Sequence, residues 1–144
     1  GPLSVTAYVV DASVAVKWFV PEELTDEALG YLSDEHELLA PDLLWPEFAN
    51  IVWNKARRGE LTPDEARRIL SLCQQVPFEV TASTNLIASG LEIALWIDRP
   101  VCDSMYLALA AHGNCAMITA DRRLFNAVNS SELSGHIAYL DESL

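Results

Sequence analysis

The chain has 144 residues, 51% hydrophobic and 21% charged, with 21 acidic and nine basic residues and a formal net charge of −12. This composition predicts one globular domain with a proper core and excludes a disordered chain, and no apolar run is long enough to span a membrane. Taken alone, the acidic balance argues against a nucleic-acid binder, because phosphate affinity comes largely from Lys and Arg, and it favours bound cations or a basic partner.

Strand-like and helix-like segments alternate along the chain, with no linker longer than a few residues. Such alternation is typical of an α/β three-layer domain in which helices flank a central, mostly parallel, five-stranded sheet. In chain order, the expected elements are strand 5–10, helices 12–19 and 25–33, strand 37–40, helices 42–58 and 62–75, strand 78–80, helices 84–96 and 104–112, strand 116–119, helix 122–128 and strand 137–140.

Local signals set some of these boundaries. Thr25 is the expected N-cap of the second helix, whose apolar stripe is Ala28, Leu29 and Leu32. Residues 62–65, Thr-Pro-Asp-Glu, form a capping box with Pro at the first helical position, so a helix begins there. With the helix before it, this helix forms an αα-hairpin.

The ends of the chain and its cysteines carry further expectations. Gly1-Pro2 without an initiator Met resembles the remnant of a protease cleavage site, so a single domain is expected over residues 5–144. The chain opens on no signal-peptide pattern. Its three cysteines are an odd number with no C-x-x-C pair, which argues against a disulfide framework and predicts a reducing, cytoplasmic location.

Four acids stand where predicted strands turn into helices. Asp11 and Asp121 each follow a strand, whereas Glu47 and Asp103 lie in or before the first turn of a helix. Ligands of open α/β sheets collect beyond the carboxyl ends of the strands, and helix N-termini favour acids. One crevice could therefore hold all four carboxylates, with no Lys or Arg close to them.

Each acid also has a purely structural explanation. Asp103 and Asp121 are placed to cap the helices that follow them, and Glu47 complements the dipole of its helix. Asp11 is the hardest to explain in this way, because an acid that ends a buried apolar strand has few structural roles. The pattern thus leaves a functional cluster and a set of independent caps as alternatives.

If the four carboxylates converge, their repulsion selects a cation. Two unit charges about 5 Å apart repel by roughly 3 kcal/mol at an effective dielectric near 20, so several such pairs would consume most of a typical stability of about 5–15 kcal/mol. Oxygen ligands without His or Cys favour Mg²⁺ or Mn²⁺, as one or two ions. Such ions can activate a water for in-line attack on a phosphodiester.

Each of the four acids lies in a short motif: VVDAS at 9–13, PDLLWPE at 41–47, CDSMYLALA at 102–110 and ITADRRL at 118–124. These motifs resemble those of PIN-domain ribonucleases, and most closely those of the VapC-like toxins of type II toxin–antitoxin pairs. The third and fourth motifs, in this order and about 18 residues apart, are the more specific, and the resemblance covers residues 5–140.

The resemblance implies a PIN fold and a metal-dependent endoribonuclease that acts as a toxin. Thr119 falls where the family often has a Ser or Thr that helps to order water or ligand, and Ser13 is a further candidate. Because Arg122 and Arg123 follow the fourth acid, we expect them to contact RNA. The catalytic and metal-binding acids that the resemblance implies are Asp11, Glu47, Asp103 and Asp121.

The resemblance also implies an antitoxin partner, an RNA substrate and a homodimer, without a membrane. The helix that contains Glu47 has a second apolar stripe, Trp45, Ala49 and Trp53, which suggests either a partner surface or a deeply buried helix. The net charge suits an antitoxin segment rich in Arg and Lys. An Arg of that segment could compete with metal for the acids.

Other classes of protein remain alternatives on the sequence. Residues 11–15, DASVA, approach the D-x-S-x-S pattern of a metal-dependent binding module, but Ala15 replaces the second Ser. A receiver-like domain would need a late Lys, and the two lysines are Lys17 and Lys55. A ribonuclease-H-like nuclease shares the logic of four acids on another fold. A non-catalytic acidic adaptor follows if the acids do not converge.

Overall fold

Five short strands form one sheet in the computed structural model, which describes residues 5–141. The strands are β1 (Thr6–Val10), β2 (His36–Pro41), β3 (Glu79–Thr81), β4 (Ala116–Thr119) and β5 (Ile137–Tyr139). They lie in the order β3-β2-β1-β4-β5, and all four pairings are parallel, which confirms the predicted sheet. The expected cleavage remnant at residues 1–4 lies outside the described residues.

Seven α-helices connect or follow these strands within residues 5–141. They are α1 (Ala12–Ala15), α2 (Thr25–Leu29), α3 (Leu44–Arg57), α4 (Pro63–Cys73), α5 (Ile87–Ile97), α6 (Val101–His112) and α7 (Arg122–Asn129). Short 3₁₀ turns extend α1 and precede α5 and β5. The capping box at the start of α4 is confirmed, since Thr62 Oγ1 accepts from Glu65 N at 3.1 Å and Glu65 Oε1 accepts from Thr62 N at 2.8 Å.

The second helix differs from its prediction in two ways. Leu24, with φ of 66°, is the N-cap residue, so Thr25 begins the helix and does not cap it. Because the helix has only five residues, it presents little surface to the core: Ala28 is fully buried, but Leu29 and Leu32 are 42% and 39% exposed. The predicted apolar stripe is therefore wrong beyond Ala28.

Two apolar cores on opposite faces of the sheet produce the three layers. Successive side chains of a strand point to opposite faces. Accordingly, Val9 and its register partner Met117 belong to one core, and Val10 and its partner Ile118 belong to the other. All four side chains are essentially inaccessible to solvent, which explains why these strands are apolar without alternation.

The strand order fixes where a ligand can bind. The chain passes from β1 to β2 on one side and later returns to place β4 on the other side of β1. In parallel α/β sheets, such a reversal opens a crevice beyond the carboxyl ends of the two central strands. Here those strands are β1 and β4, which Asp11 and Asp121 follow.

Among residues 5–141 there is no helix whose length and apolar character would let it cross a bilayer.

The three cysteines form no disulfide bonds. Cys73, Cys102 and Cys115 are all free thiols, which agrees with the expected lack of a disulfide framework. Burial raises the pKa of Cys73 to about 12, so this thiol stays protonated and unreactive at neutral pH.

Candidate active site

A cavity of about 260 Å³ lies beyond the carboxyl ends of β1 and β4. Four chain segments contribute to it: the start of α1, the first turns of α3 and α6, and the start of α7. The structure therefore brings together the acids that the sequence singled out. The acids that line the cavity are Asp11, Glu47, Asp103 and Asp121.

Asp11 is the most firmly held of the four. Its Oδ1 accepts hydrogen bonds from Ser13 Oγ at 2.6 Å and from Val14 N at 3.1 Å, and its Oδ2 accepts one from Thr119 Oγ1 at 2.9 Å. Burial raises the pKa of Asp11, the three hydrogen bonds partly oppose that rise, and the charge of Asp103 adds to it. The carboxylate is thus fixed in orientation and short of positive charge.

Glu47 is held across the cavity by α6. Tyr106 donates its hydroxyl hydrogen to Glu47 Oε1 at 2.7 Å. Burial raises the pKa of Glu47; the bond from Tyr106 opposes the rise, and repulsion from Asp11 and Asp103 adds to it. The three carboxylates are therefore close enough to repel one another.

Asp103 lies in the first turn of α6 and does not cap it, because the helix already begins at Val101. Burial raises the pKa of Asp103, Arg99 lowers it, and Asp121 raises it. Arg99 Nη2 is 3.9 Å from Asp103 Oδ2, so the expectation that no Lys or Arg lies close to the acids is wrong. Arg99 lies in the loop between α5 and α6, two positions before α6 begins, and this loop brings its side chain towards Asp103.

Asp121 combines a structural role with its place in the cavity. It is the N-cap of α7, where its Oδ1 accepts from Leu124 N at 3.1 Å. Thr119 is fully buried and links two acids: its hydroxyl donates to Asp11 and accepts from Asp121 N at 3.0 Å. Asp121 therefore caps α7, as predicted, and also lines the cavity.

Three further residues at the cavity did not emerge from the sequence. Asn50 and Tyr106 line it, and Arg99 approaches Asp103. Asn50 follows Glu47 by three positions, and Tyr106 follows Asp103 by three, so each shares a helix face with an acid. This spacing was the available signal, but it identifies a neighbour and not a function.

The two arginines after Asp121 take different positions. Arg122 makes an ion pair with Asp141 at 3.2 Å and lies over the ring of Tyr139, 3.6 Å from its centroid. Arg123 is exposed. Neither residue lines the cavity, so their contact with RNA stays a prediction. Ser13, in contrast, lies at the cavity wall beside Asp11.

The donors present suit a hard divalent ion. The hydrogen bonds from Ser13, Thr119 and Tyr106 orient carboxylate oxygens in a pocket where burial and repulsion oppose negative charge. Across residues 5–141, no three acidic, His or Cys side chains are close enough to enclose an ion. Mg²⁺ usually keeps several waters and takes only one or two protein carboxylates, so it fits this open arrangement.

Comparison with known proteins identifies the family. The PIN domain family matches residues 8–130 of this chain. Ribonuclease VapC3 of Pyrobaculum aerophilum is 35% identical over 118 residues, which cover 81% of this chain and 90% of that relative. The chain therefore belongs to the PIN-domain family. Within the family it is VapC-like, as the motifs indicated, and the receiver-like and ribonuclease-H-like alternatives are wrong.

Solved structures share the fold over nearly the whole chain. The crystal structure of PAE2754 from Pyrobaculum aerophilum has a TM-score of 0.70 at 22% identity, covering 95% of this chain and 85% of that one. A chain of a toxin–antitoxin complex from Klebsiella pneumoniae has a TM-score of 0.63 at 12% identity, covering 92% of this chain and 97% of that one. These similarities establish the PIN-like α/β architecture.

Proposed function

We propose that the protein is a divalent-metal-dependent endoribonuclease and the toxin of a toxin–antitoxin pair. One observation carries the proposal: four carboxylates from four separate segments line a single cavity at the reversal of strand order. The resemblance to ribonuclease VapC3 supports RNA as the substrate. Mg²⁺ or Mn²⁺, as one or two ions, would supply a water of lowered pKa and charge stabilisation for the phosphodiester.

The protein's own contribution to this reaction is orientation. Thr119 and Ser13 fix the two oxygens of Asp11, and Tyr106 fixes one oxygen of Glu47. Hydrogen bonds that lock carboxylates in place reduce the reorganisation needed when a substrate arrives. We infer that Asp11, Glu47, Asp103 and Asp121 are the catalytic and metal-binding acids and that Thr119 positions Asp11.

Metal-dependent cleavage of RNA is the direct test of this function. We expect the protein to cut single-stranded RNA internally in Mg²⁺ or Mn²⁺ and to lose that activity in excess chelator, because the acids alone repel the phosphodiester. The measurement is fragment analysis of end-labelled RNA with each ion and with chelator. Cleavage that persists in chelator would contradict the metal-dependent mechanism, whereas no cleavage with either ion would leave an acidic binding module or adaptor as the better explanation.

An antitoxin is the partner that we propose for the groove between α3 and α4. This groove has a volume of about 490 Å³, and Trp53, which lines it, is 55% exposed. Trp45, from the same predicted stripe, instead packs against Phe78. A segment with apolar anchors for the groove and basic residues for the acid cavity would suit the net charge of −12. An acidic antitoxin tail would contradict this proposal.

A homodimer through α5 is supported by the apolar residues that this helix exposes. They are Ile87, Leu91, Leu95 and Trp96, with exposed fractions of 55%, 48%, 72% and 55%. The first three recur every four positions and form one stripe. Exposed apolar stripes of this kind mark interaction surfaces, because water otherwise contacts the whole stripe.

We expect Leu95→Glu to convert a dimer into a monomer, because a charge at the most exposed residue of the stripe would have to be desolvated on association. Light scattering after size exclusion measures the mass directly. Leu72→Glu is the matched control, since Leu72 is also exposed, at 39%, but lies on α4. A monomeric wild-type protein, or a dimer unaffected by Leu95→Glu, would contradict this interface.

We also propose a cytoplasmic location, which agrees with the three free thiols.

A further inference from the structure

A second pocket, of about 370 Å³, adjoins the acid cavity and shares Ser13 and Ile51 with it. Its character is the opposite of the cavity's. Lys17 and Lys55, the only two lysines of the chain, line it together with Arg58. We call these three residues the basic pocket. A protein with nine basic residues in all thus places three of them beside its acidic site.

The two lysines share a single carboxylate. Lys17 Nζ donates to Glu22 Oε1 at 3.1 Å and to Glu23 O at 2.8 Å, and Lys55 Nζ donates to Glu22 Oε2 at 2.8 Å. Two ammonium groups against one carboxylate leave one excess positive charge. Lys17 and Lys55 are only 9% and 8% exposed, so water compensates that charge poorly.

Donor groups remain for an anion. An ammonium group has three hydrogens, and within residues 5–141 Lys55 donates only to Glu22. Arg58 uses Nε for Glu60, at 2.6 Å, and its side chain is 57% exposed, which leaves the two terminal nitrogens available. Lys55 and Arg58 are three positions apart at the C-terminal end of α3, so they lie on one face.

A structural role alone does not account for the arrangement. One lysine would suffice to hold Glu22 against α3, whereas a second buried lysine adds charge that must be compensated. An anion in the pocket compensates it. RNA carries a phosphate at every nucleotide. If the scissile phosphate of a strand lay in the acid cavity, a positive contact to a neighbouring phosphate would offset the repulsion from a protein whose net charge is −12.

We propose that the basic pocket, formed by Lys17, Lys55 and Arg58, binds a backbone phosphate of the RNA strand next to the phosphate that occupies the acid cavity. This subsite rests on the proposed ribonuclease function and adds a second phosphate contact that fixes the register of the bound strand. Glu22 orients the two lysines and moderates their charge. Because a phosphate contact carries no base information, the pocket contributes affinity and position and not sequence choice.

The test measures the affinity of a labelled single-stranded RNA in Mg²⁺ over a series of salt concentrations, with Asp103→Asn as a cleavage-deficient background. Arg58→Gln and Lys55→Gln should each weaken binding about 3- to 10-fold at low salt and lower the slope of log affinity against log salt by about 0.7. Arg67→Gln, an exposed arginine on α4 that pairs with Asp64, is the control and should change neither value.

Glu22→Gln gives a result of opposite sign. It removes the carboxylate that pairs with both lysines in the described part of the chain, so RNA should bind several-fold more tightly, whereas a purely structural Glu22 would give unchanged or weaker binding. Thermal melting establishes that each variant is folded. If Lys55→Gln or Glu22→Gln unfolds, the affinity and salt slope of Arg58→Gln test the proposal, because Arg58 is exposed and lies outside the ion pairs of Lys17 and Lys55 with Glu22.

The subsite is overturned if Arg58→Gln matches Arg67→Gln in affinity and salt slope, or if folded Glu22→Gln fails to bind RNA more tightly. Failure of the ribonuclease function is a separate result, seen as no metal-dependent cleavage by the wild-type protein. If the variants change RNA affinity as expected but the wild-type protein does not cleave RNA, the phosphate contact of the basic pocket is supported and the nuclease function is rejected.

Discussion

Asp103→Asn should lower the rate of RNA cleavage by at least about 100-fold, since even residues that only support metal ligands change activity by about 10- to 100-fold. The substitution keeps the size of the side chain and removes its charge. Asp103 makes no cap, and within residues 5–141 its one ionic contact is Arg99 at 3.9 Å, so the fold should tolerate the change. Initial rates of RNA cleavage at saturating Mg²⁺ provide the measurement.

Two further variants make the result specific to the cavity. Asp11→Asn should be as inactive, but it also disturbs the hydrogen bonds at this position. One acceptor oxygen becomes an NH2 group, which cannot accept either the bond from Thr119 or those from Ser13 and Val14. Asp64→Asn is the control, because Asp64 is 95% exposed on α4 and undergoes the same chemical change. Full activity of both Asp11→Asn and Asp103→Asn would reject the nuclease assignment.

Divalent ions should raise the stability of the wild-type protein and not that of an Asp11→Asn, Asp103→Asn double variant. A ligand that binds only the folded state at 100 times its dissociation constant stabilises by about 2.7 kcal/mol, or roughly 5–10 °C in melting temperature for a domain of this size. Differential scanning calorimetry with Mg²⁺, Mn²⁺ and chelator measures the shift. Equal shifts in both proteins would place the ion outside the cavity.

The same acids should make the metal-free protein sensitive to pH. The folded-state pKa values of Asp11, Glu47 and Asp103 lie above their ordinary values, so the folded state binds more protons than the unfolded chain in that interval. Stability from these groups therefore falls as pH rises from the unfolded pKa, near 4, through the raised folded values, and the penalty persists at neutral pH.

Asp103→Asn isolates this effect, because the variant cannot titrate at that position. In chelator, the variant should be more stable than wild type at pH 7, since burial and Asp121 outweigh Arg99 in raising the pKa of Asp103. The difference should shrink as pH falls towards 4. Urea unfolding at several pH values measures it, and a variant less stable than wild type throughout would contradict the electrostatic account.

Local pattern predicted most of the fold. The runs of β1 and β4 are buried on both faces, and the capping box at residues 62–65 is an interaction between neighbours, so both were visible in the sequence. The N-cap of α2 was not visible, because it depends on a left-handed conformation at Leu24, a residue type that does not favour it. A helix of five residues has too short a pattern to reveal which side is buried.

The candidate site was predicted to a similar extent. Asp11, Glu47, Asp103 and Asp121 were identifiable because acids at strand ends and in first helical turns stand out against apolar surroundings. Their partners were not: Tyr106 reaches Glu47 across 59 positions, and Thr119 reaches Asp11 across 108. The basic pocket was not predicted for the same reason, since Lys55 and Glu22 are 33 positions apart.

The sequence by itself determined the strands and helices, the acids available for chemistry and, through its motifs, the PIN-like class of the domain. The periodicity of apolar residues and the helix caps depend on residues that are close together in the chain, so they can be recognised in the sequence. Only the tertiary structure decided that β4 lies beside β1, that four acids share one cavity and that two lysines share Glu22 next to it. Those contacts join distant segments through packing of the whole core, which no local pattern encodes.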